Sequence, residues 1–161
     1  RGAEDVTAGR SGIQMAERVV RQKAEPFLEK KKKKQLIITA DTVVWNQNQS
    51  LGKPENAQEA KAMLKTLSNS THEVITAVGF LKKGSFETLC EVSKVTFGIL
   101  SEPEIEHYVQ TGSPLDKAGA YGIQDPFGVR HVTRIEGSYS NIIGLPVPQV
   151  LKKIQEITVK N

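Results

Sequence analysis

The sequence predicts an α/β fold in which a sheet is flanked by helices, and three observations carry that prediction. Residues 36–44 form a near-continuous apolar run rich in β-branched side chains, the pattern of a strand buried on both faces. Two longer strand-like runs, 72–81 and 87–100, follow one another across a short Lys-Lys-Gly-Ser stretch. Around them, residues 13–27, 56–67, 101–112 and 148–157 repeat apolar side chains at helical spacing.

Taken in order, residues 1–12 are polar and without period. The first helix pattern places Ile13, Ala16, Val20, Ala24 and Phe27 on one face, and Pro26 tightens or ends it. After the 36–44 strand comes a polar Asn/Gln/Ser hairpin-like loop, 45–51, and then the turn Leu51-Gly52-Lys53-Pro54. Asn56 caps the next helix with Glu59 three residues on, and Ala57, Ala60, Met63, Leu64 and Leu67 supply its buried face. In the 72–81 run both alternating faces are apolar, which predicts a central strand; the 87–100 run has one wetter face. Ser101 followed by Glu102, Pro103 and Glu104 opens a helix that stops at Gly112. Residues 129–135 alternate as a further strand, and a Gly/Ser turn over 137–146 leads into the last helix, with Val150, Leu151, Ile154 and Ile157 on one side.

Composition narrows the function classes. The 161 residues are 38% hydrophobic and 25% charged, enough for one domain with its own core. There is no run approaching the roughly 20 apolar residues of a membrane helix and no signal-peptide pattern, so no membrane partner is expected. The single cysteine, Cys90, falls in a strand-like run as a small hydrophobe, which fits a reduced, cytoplasmic setting. Of the net charge of +4, five lysines sit in the block 30–34, and the remainder is close to neutral, so no nucleic-acid partner is expected.

Candidate chemistry concentrates in two stretches. Asp41 is a lone carboxylate in an apolar strand, and an unpaired buried carboxylate costs several kcal/mol, so it should meet a cation or face a cleft. In open α/β sheets such a cleft lies beyond the carboxyl ends of the strands. Lys53 returns on a short tether, and a carboxylate with a loop lysine suits a polyphosphate and its magnesium ion. On spacing alone, a surface aspartate and a solvated lysine is the favoured reading. Lys23 falls beside the apolar stripe of its helix. The second stretch, 116–124, is rich in small residues that let backbone approach a ligand, and Gln124 offers an amide suited to one edge of a base. A tight surface loop with a structural glutamine is the other reading. His72 is given no role. The sequence has no Walker loop, GxGxxG, GxSxG or Cys/His metal cluster.

Five blocks in order resemble the Maf family: Ala40-Asp41-Thr42-Val43-Val44, Gly52-Lys53-Pro54, His72-Glu73-Val74-Ile75-Thr76, 116–124, and Gly137-Ser138-Tyr139-Ser140-Asn141 with Gly144-Leu145-Pro146. The resemblance covers the chain from about Ile13 onward. It implies a fold like that of the inosine triphosphate pyrophosphatases, an elongated mixed sheet flanked by helices with a cleft between two lobes. It implies hydrolysis of the α–β phosphoanhydride of a nucleoside triphosphate to monophosphate and pyrophosphate with Mg2+ or Mn2+, by a cytoplasmic homodimer that cleans nucleotide pools or acts in septum formation. On this resemblance Asp41 is the catalytic aspartate, as metal ligand or proton acceptor, and Lys53 and Lys23 are the phosphate lysines. Thr42 and Gln124 resemble positions that mark the branch acting on dTTP and UTP, which implies pyrimidine triphosphates, including modified ones, as substrates.

Maf proteins also open with a strand, a Ser-x-Ser-x-Arg-Arg phosphate loop and an Asp-Glu pair, which nothing here matches. Residues 1–161 are therefore expected to be one Maf-like domain lacking that strand and loop, with the acidic pair upstream of Arg1 or replaced by Glu4, and to be weak alone although the intact protein is active. The rival readings are a non-catalytic nucleotide-binding regulator of cell division, and a nucleic-acid-associated protein using the lysine block.

Overall fold

The computed structural model describes residues 12–28 and 35–159. Glu4 and the lysine block 30–34 lie outside the described residues.

Helix α1 spans Gly12–Ala24 and runs on into a 3-10 turn, Glu25–Phe27, at Pro26. Its buried side chains are Met15, Ala16, Val19, Val20 and Ala24, whereas Ile13 and Phe27 are exposed. Ala16, Val20 and Ala24 of the stripe read in the sequence are thus buried, and Phe27 falls off it because Pro26 ends the regular helix before that residue can return to the face.

Strand β1 is Ile37–Asn46 and β2 is Gln49–Leu51. The turn between them needs positive φ at both central residues, supplied by Gln47 (49°) and Asn48 (62°). Much of the predicted 45–51 loop is therefore hairpin. Helix α2 is Ala57–Leu67; the Asn56 side chain accepts from the Glu59 amide at 2.8 Å, as predicted, while Ala57 is exposed rather than buried.

Strands β3, Thr71–Lys82, and β4, Ser85–Phe97, follow, and then helix α3, Glu102–Gln110, with Ser101 as its cap and Gly112 at φ 77° as its stop. Residues 129–131, the first part of the region read as a strand, belong to helix α4, Pro126–His131; only Val132–Glu136 is strand β5. Pro126 sits at the helix start, and Phe127 gains more from stacking on Tyr108, centroids 4.2 Å apart, than from alternation. A short helix α5, Tyr139–Ile142, interrupts the Gly/Ser turn, and α6, Val147–Val159, closes the described chain. Leu151 is exposed there, so Val150, Ile154 and Ile157 carry its packing face.

The five strands form one sheet in the order β2-β1-β3-β4-β5, every pair antiparallel. As predicted, β3 is central and buried on both faces. By contrast β1 is fully buried only over Val43–Asn46. Strand β2 pairs only with Val44, Trp45 and Asn46, so among the described residues the other edge of residues 37–43 has no strand beside it. One face, carrying Val43, Trp45, Ile75 and Ala77, packs under α1. The opposite face carries two clusters. Val44, Val74, Val95 and Phe97 pack with α2, α3 and α4, and Val78 and Phe80 pack with α6. Between the clusters the β1–β3 pair presents Thr42 opposite Thr76, a polar seam where apolar packing stops and a cleft can open.

His72 at the start of β3 is buried and bonds through Nε2 to the Tyr121 hydroxyl at 2.6 Å. Burial lowers its pKa from 6.5 to about 4. The unfolded chain takes up this proton below 6.5 and the folded chain only below about 4. The stability that neutral His72 contributes is therefore present above pH 6.5 and lost as pH falls toward 4, by roughly 3 kcal/mol in all. Urea midpoints at pH 7 and pH 4.5 should differ by less in His72→Gln than in the wild type. An equal difference in both would mean that carboxylates alone set the acid limit.

Candidate functional site

Strand alternation decides how the site is assembled. Asp41 pairs with Ala77 and shares the α1 face, whereas Thr42 pairs with Thr76 and lies on the opposite one. Asp41 does meet a cation: Lys23 Nζ on α1 donates to Asp41 Oδ1 at 2.8 Å and to the Ala40 carbonyl at 2.9 Å. The aspartate is mid-strand, four residues into β1, and not at a strand end. A rule for the carboxyl ends of parallel strands does not apply, because this sheet is antiparallel. Both side chains of the pair are partly exposed, 49% for Lys23 and 20% for Asp41, so the pair holds geometry more than it adds stability.

Two cavities adjoin along β1. One of about 250 Å³ is lined by Asp41, Thr42, Ser50, Gly52 and Lys53 among others. A second, of about 320 Å³, is lined by Thr42, Lys117, Tyr121, Gln124, Ile142 and Gly144 among others. Thr42 and Ala118 belong to both walls, so the two form one groove. Four of the five sequence candidates, Asp41, Thr42, Lys53 and Gln124, line that groove, and Lys23 reaches it through Asp41.

The loop that carries Gln124 is fixed by backbone approach. Gly119 has φ 73° and its N–H donates to the Gly52 carbonyl at 3.1 Å, tying this loop to the Lys53 turn. A Cβ on Gly119 would lie 3.0 Å from Val44 Cγ1. Asp125 anchors the far end. Its Oδ2 accepts from Tyr108 and from Ser113, each at 2.7 Å, and Lys117 Nζ lies 3.8 Å away. Burial alone would raise the Asp125 pKa, but those two hydrogen bonds and the lysine charge together hold it below the usual carboxylate value. The same burial, with the hydrogen bond to Asp125, pushes the Tyr108 phenol well above its ordinary value.

Lys117 is the residue that sequence reasoning passed over. Its ammonium donates to Ser113 O at 2.9 Å and to Ser113 Oγ at 2.8 Å, and its stem covers Gly122, where a Cβ would sit 2.8 Å from Lys117 Cε. The signal was a single cation at the head of a run of small residues. Cys90 is half-buried, faces Glu17 at 3.7 Å, and has its pKa pushed up to about 12 by burial and then by that carboxylate. It plays no part in the groove.

A model of the Maf-like protein family matches residues 3–157. The chain is 50% identical over 128 residues to a dTTP/UTP pyrophosphatase of Flavobacterium johnsoniae, covering 80% of this chain and 66% of that one. It is 44% identical over 138 residues to a dTTP/UTP pyrophosphatase of Flavobacterium psychrophilum, covering 86% and 71%. A dTTP/UTP pyrophosphatase of Halalkalibacterium halodurans is 43% identical over 142 residues, covering 88% and 74%. The matched part thus spans about two thirds to three quarters of each relative's length.

Proposed function

Because the chain belongs to the Maf-like protein family, we propose that it is a nucleoside triphosphate pyrophosphatase acting on dTTP and UTP. The observation that supports this reading most directly is the continuity of the two cavities through Thr42 and Ala118. One end of the groove offers a carboxylate and lysines for phosphates, and the other offers an amide and a hydroxyl for a base.

A triphosphate repels an attacking water, and fixed cations remove that repulsion most effectively as charge builds on the leaving pyrophosphate. Lys53 on its turn and Lys23 beside Asp41 supply two such charges. Among the described residues no three His, Cys, Asp or Glu side chains gather as a metal cage. Lys23 engages Oδ1 of Asp41, which leaves Oδ2 as the donor for an ion. A lone carboxylate fits magnesium or manganese that arrives with the nucleotide, since such ions take most of their ligands from phosphate and water. When bound, the ion neutralises phosphate charge and acidifies water. Among the described residues Asp41 is the one acid in that wall, so either holding the ion or accepting a proton from the attacking water would fall to it. A cytoplasmic homodimer that removes unwanted triphosphates completes the proposal.

The test is pyrophosphate release by the full-length protein from dTTP, UTP, CTP, ATP, GTP and 7-methyl-GTP, with magnesium or manganese. Release from dTTP and UTP is the expected result; binding without release would turn the reading toward a nucleotide sensor. In the same assay Lys53→Ala should lower kcat about a hundredfold, since one fixed donor to a developing charge is lost. An effect confined to KM would mean that Lys53 binds substrate and transition state equally.

A further inference from the structure

We infer that Thr76, which lines neither cavity, fixes Thr42 as a hydrogen-bond acceptor and so selects bases that carry an imino N–H. This rests on the reading of the 320 Å³ cavity as the base site. The argument is a proton count. Thr76 is fully buried, and its Oγ1 lies 3.0 Å from the Asn141 carbonyl oxygen. A carbonyl cannot donate, so the Thr76 hydroxyl hydrogen lies on that contact. Thr42 Oγ1 is 2.9 Å from Thr76 Oγ1, and the only hydrogen left to bridge these two oxygens is that of Thr42. The other acceptor near Thr42, the Gly144 carbonyl, is 3.5 Å away and competes poorly.

With its hydrogen spent inward, Thr42 presents only lone pairs to the groove that it lines. Uracil and thymine carry an N3–H donor between two carbonyl oxygens, and that donor is the partner a hydroxyl of this polarity accepts. Cytosine has a bare N3 acceptor at the same place, so two lone pairs would face each other. Gln124, which lines the same cavity, can donate its amide N–H to one of the flanking carbonyls. Local sequence order gives no hint of this, because the deciding hydroxyl lies on the neighbouring strand, in register with Thr42 and 34 residues away.

Thr76→Val tests it. Valine keeps the shape of threonine, and the Asn141 carbonyl keeps the Gly144 N–H at 3.0 Å, so the fold loses the two hydrogen bonds of the Thr76 hydroxyl but leaves no orphaned acceptor. Freed from Thr76, the Thr42 hydroxyl can turn and donate to cytosine N3. The expected result is a gain of CTP turnover, with the UTP/CTP ratio of kcat/KM falling about tenfold, while Thr76→Ser keeps the wild-type ratio. A purely structural role for Thr76 would lower both substrates together. An unchanged ratio in a folded Thr76→Val protein overturns the inference, as does a wild type that hydrolyses UTP and CTP equally well, which leaves the pyrophosphatase reading intact. Absence of release from every triphosphate would sink the pyrophosphatase reading instead. The inference then stands only if calorimetry shows wild type preferring UMP to CMP and Thr76→Val narrowing that gap, and falls otherwise.

Discussion

Asp41→Asn is expected to lower kcat for pyrophosphate release from dTTP by about a thousandfold while leaving the protein folded. Asparagine keeps the size of the side chain and an oxygen that can still accept from Lys23, so the α1–β1 contact survives. It removes the negative charge that would hold an ion and the basicity that would take a proton from water. The stability cost should stay below about 1 kcal/mol, because the Lys23 side chain is 49% exposed and can return its charge to solvent. Pyrophosphate release and a thermal melt on the same preparation separate the two effects. Wild-type turnover in this variant would exclude the mechanism, whereas lost turnover with a collapsed melt would make Asp41 a structural residue.

Gly128→Ala should be the most destabilising single methyl in the molecule. Gly128 is buried within α4, and by helix propensity alone alanine there would gain about 1 kcal/mol. The added Cβ, however, would overlap the Gly122 carbonyl and lie 2.8 Å from Ile123 Cα and 2.9 Å from Ile123 O. All three are backbone atoms of the loop that holds Gln124, so no side chain can move aside. Overpacking against main chain costs about 3 kcal/mol, which outweighs the propensity gain. The net loss of about 2 kcal/mol is, for a chain of this length, roughly 4–8 °C in melting temperature. The urea midpoint should fall accordingly, and in the folded fraction KM for dTTP should rise as the loop shifts. A more stable Gly128→Ala protein would mean that α4 and the 122–125 loop are not packed this closely.

That reversal of sign shows where sequence reading stops. The caps at Asn56 and Ser101 and the stop at Gly112 were legible because each depends on groups within four residues of one another. The central place of β3 was legible for a related reason, since a strand covered on both sides must be apolar on both. Residues 129–131 misled because their alternation is real but weaker than the proline start before them and the Phe127–Tyr108 stack, a contact between segments 19 residues apart. In the groove, the resemblance named Asp41, Lys53, Lys23, Thr42 and Gln124, whereas Lys117 escaped it, its anchor lying at Ser113 and Asp125 in turns that sequence could not fold together.

By itself, then, the sequence determined the α/β class, most of the helices and strands, the family, and the residues on which a phosphate chemistry could rest. Only the tertiary structure decided that the sheet is antiparallel, that Asp41 stands mid-strand against Lys23, and that Thr42 turns to the other face, where a hydroxyl chain through Thr76 to Asn141 holds it. The physical reason is range. Capping, turn strain and periodic burial act over a few residues and leave their mark in local order. The side a strand shows to its neighbour, and the direction in which a hydroxyl gives its proton, depend on atoms that the chain brings together only when it closes on itself.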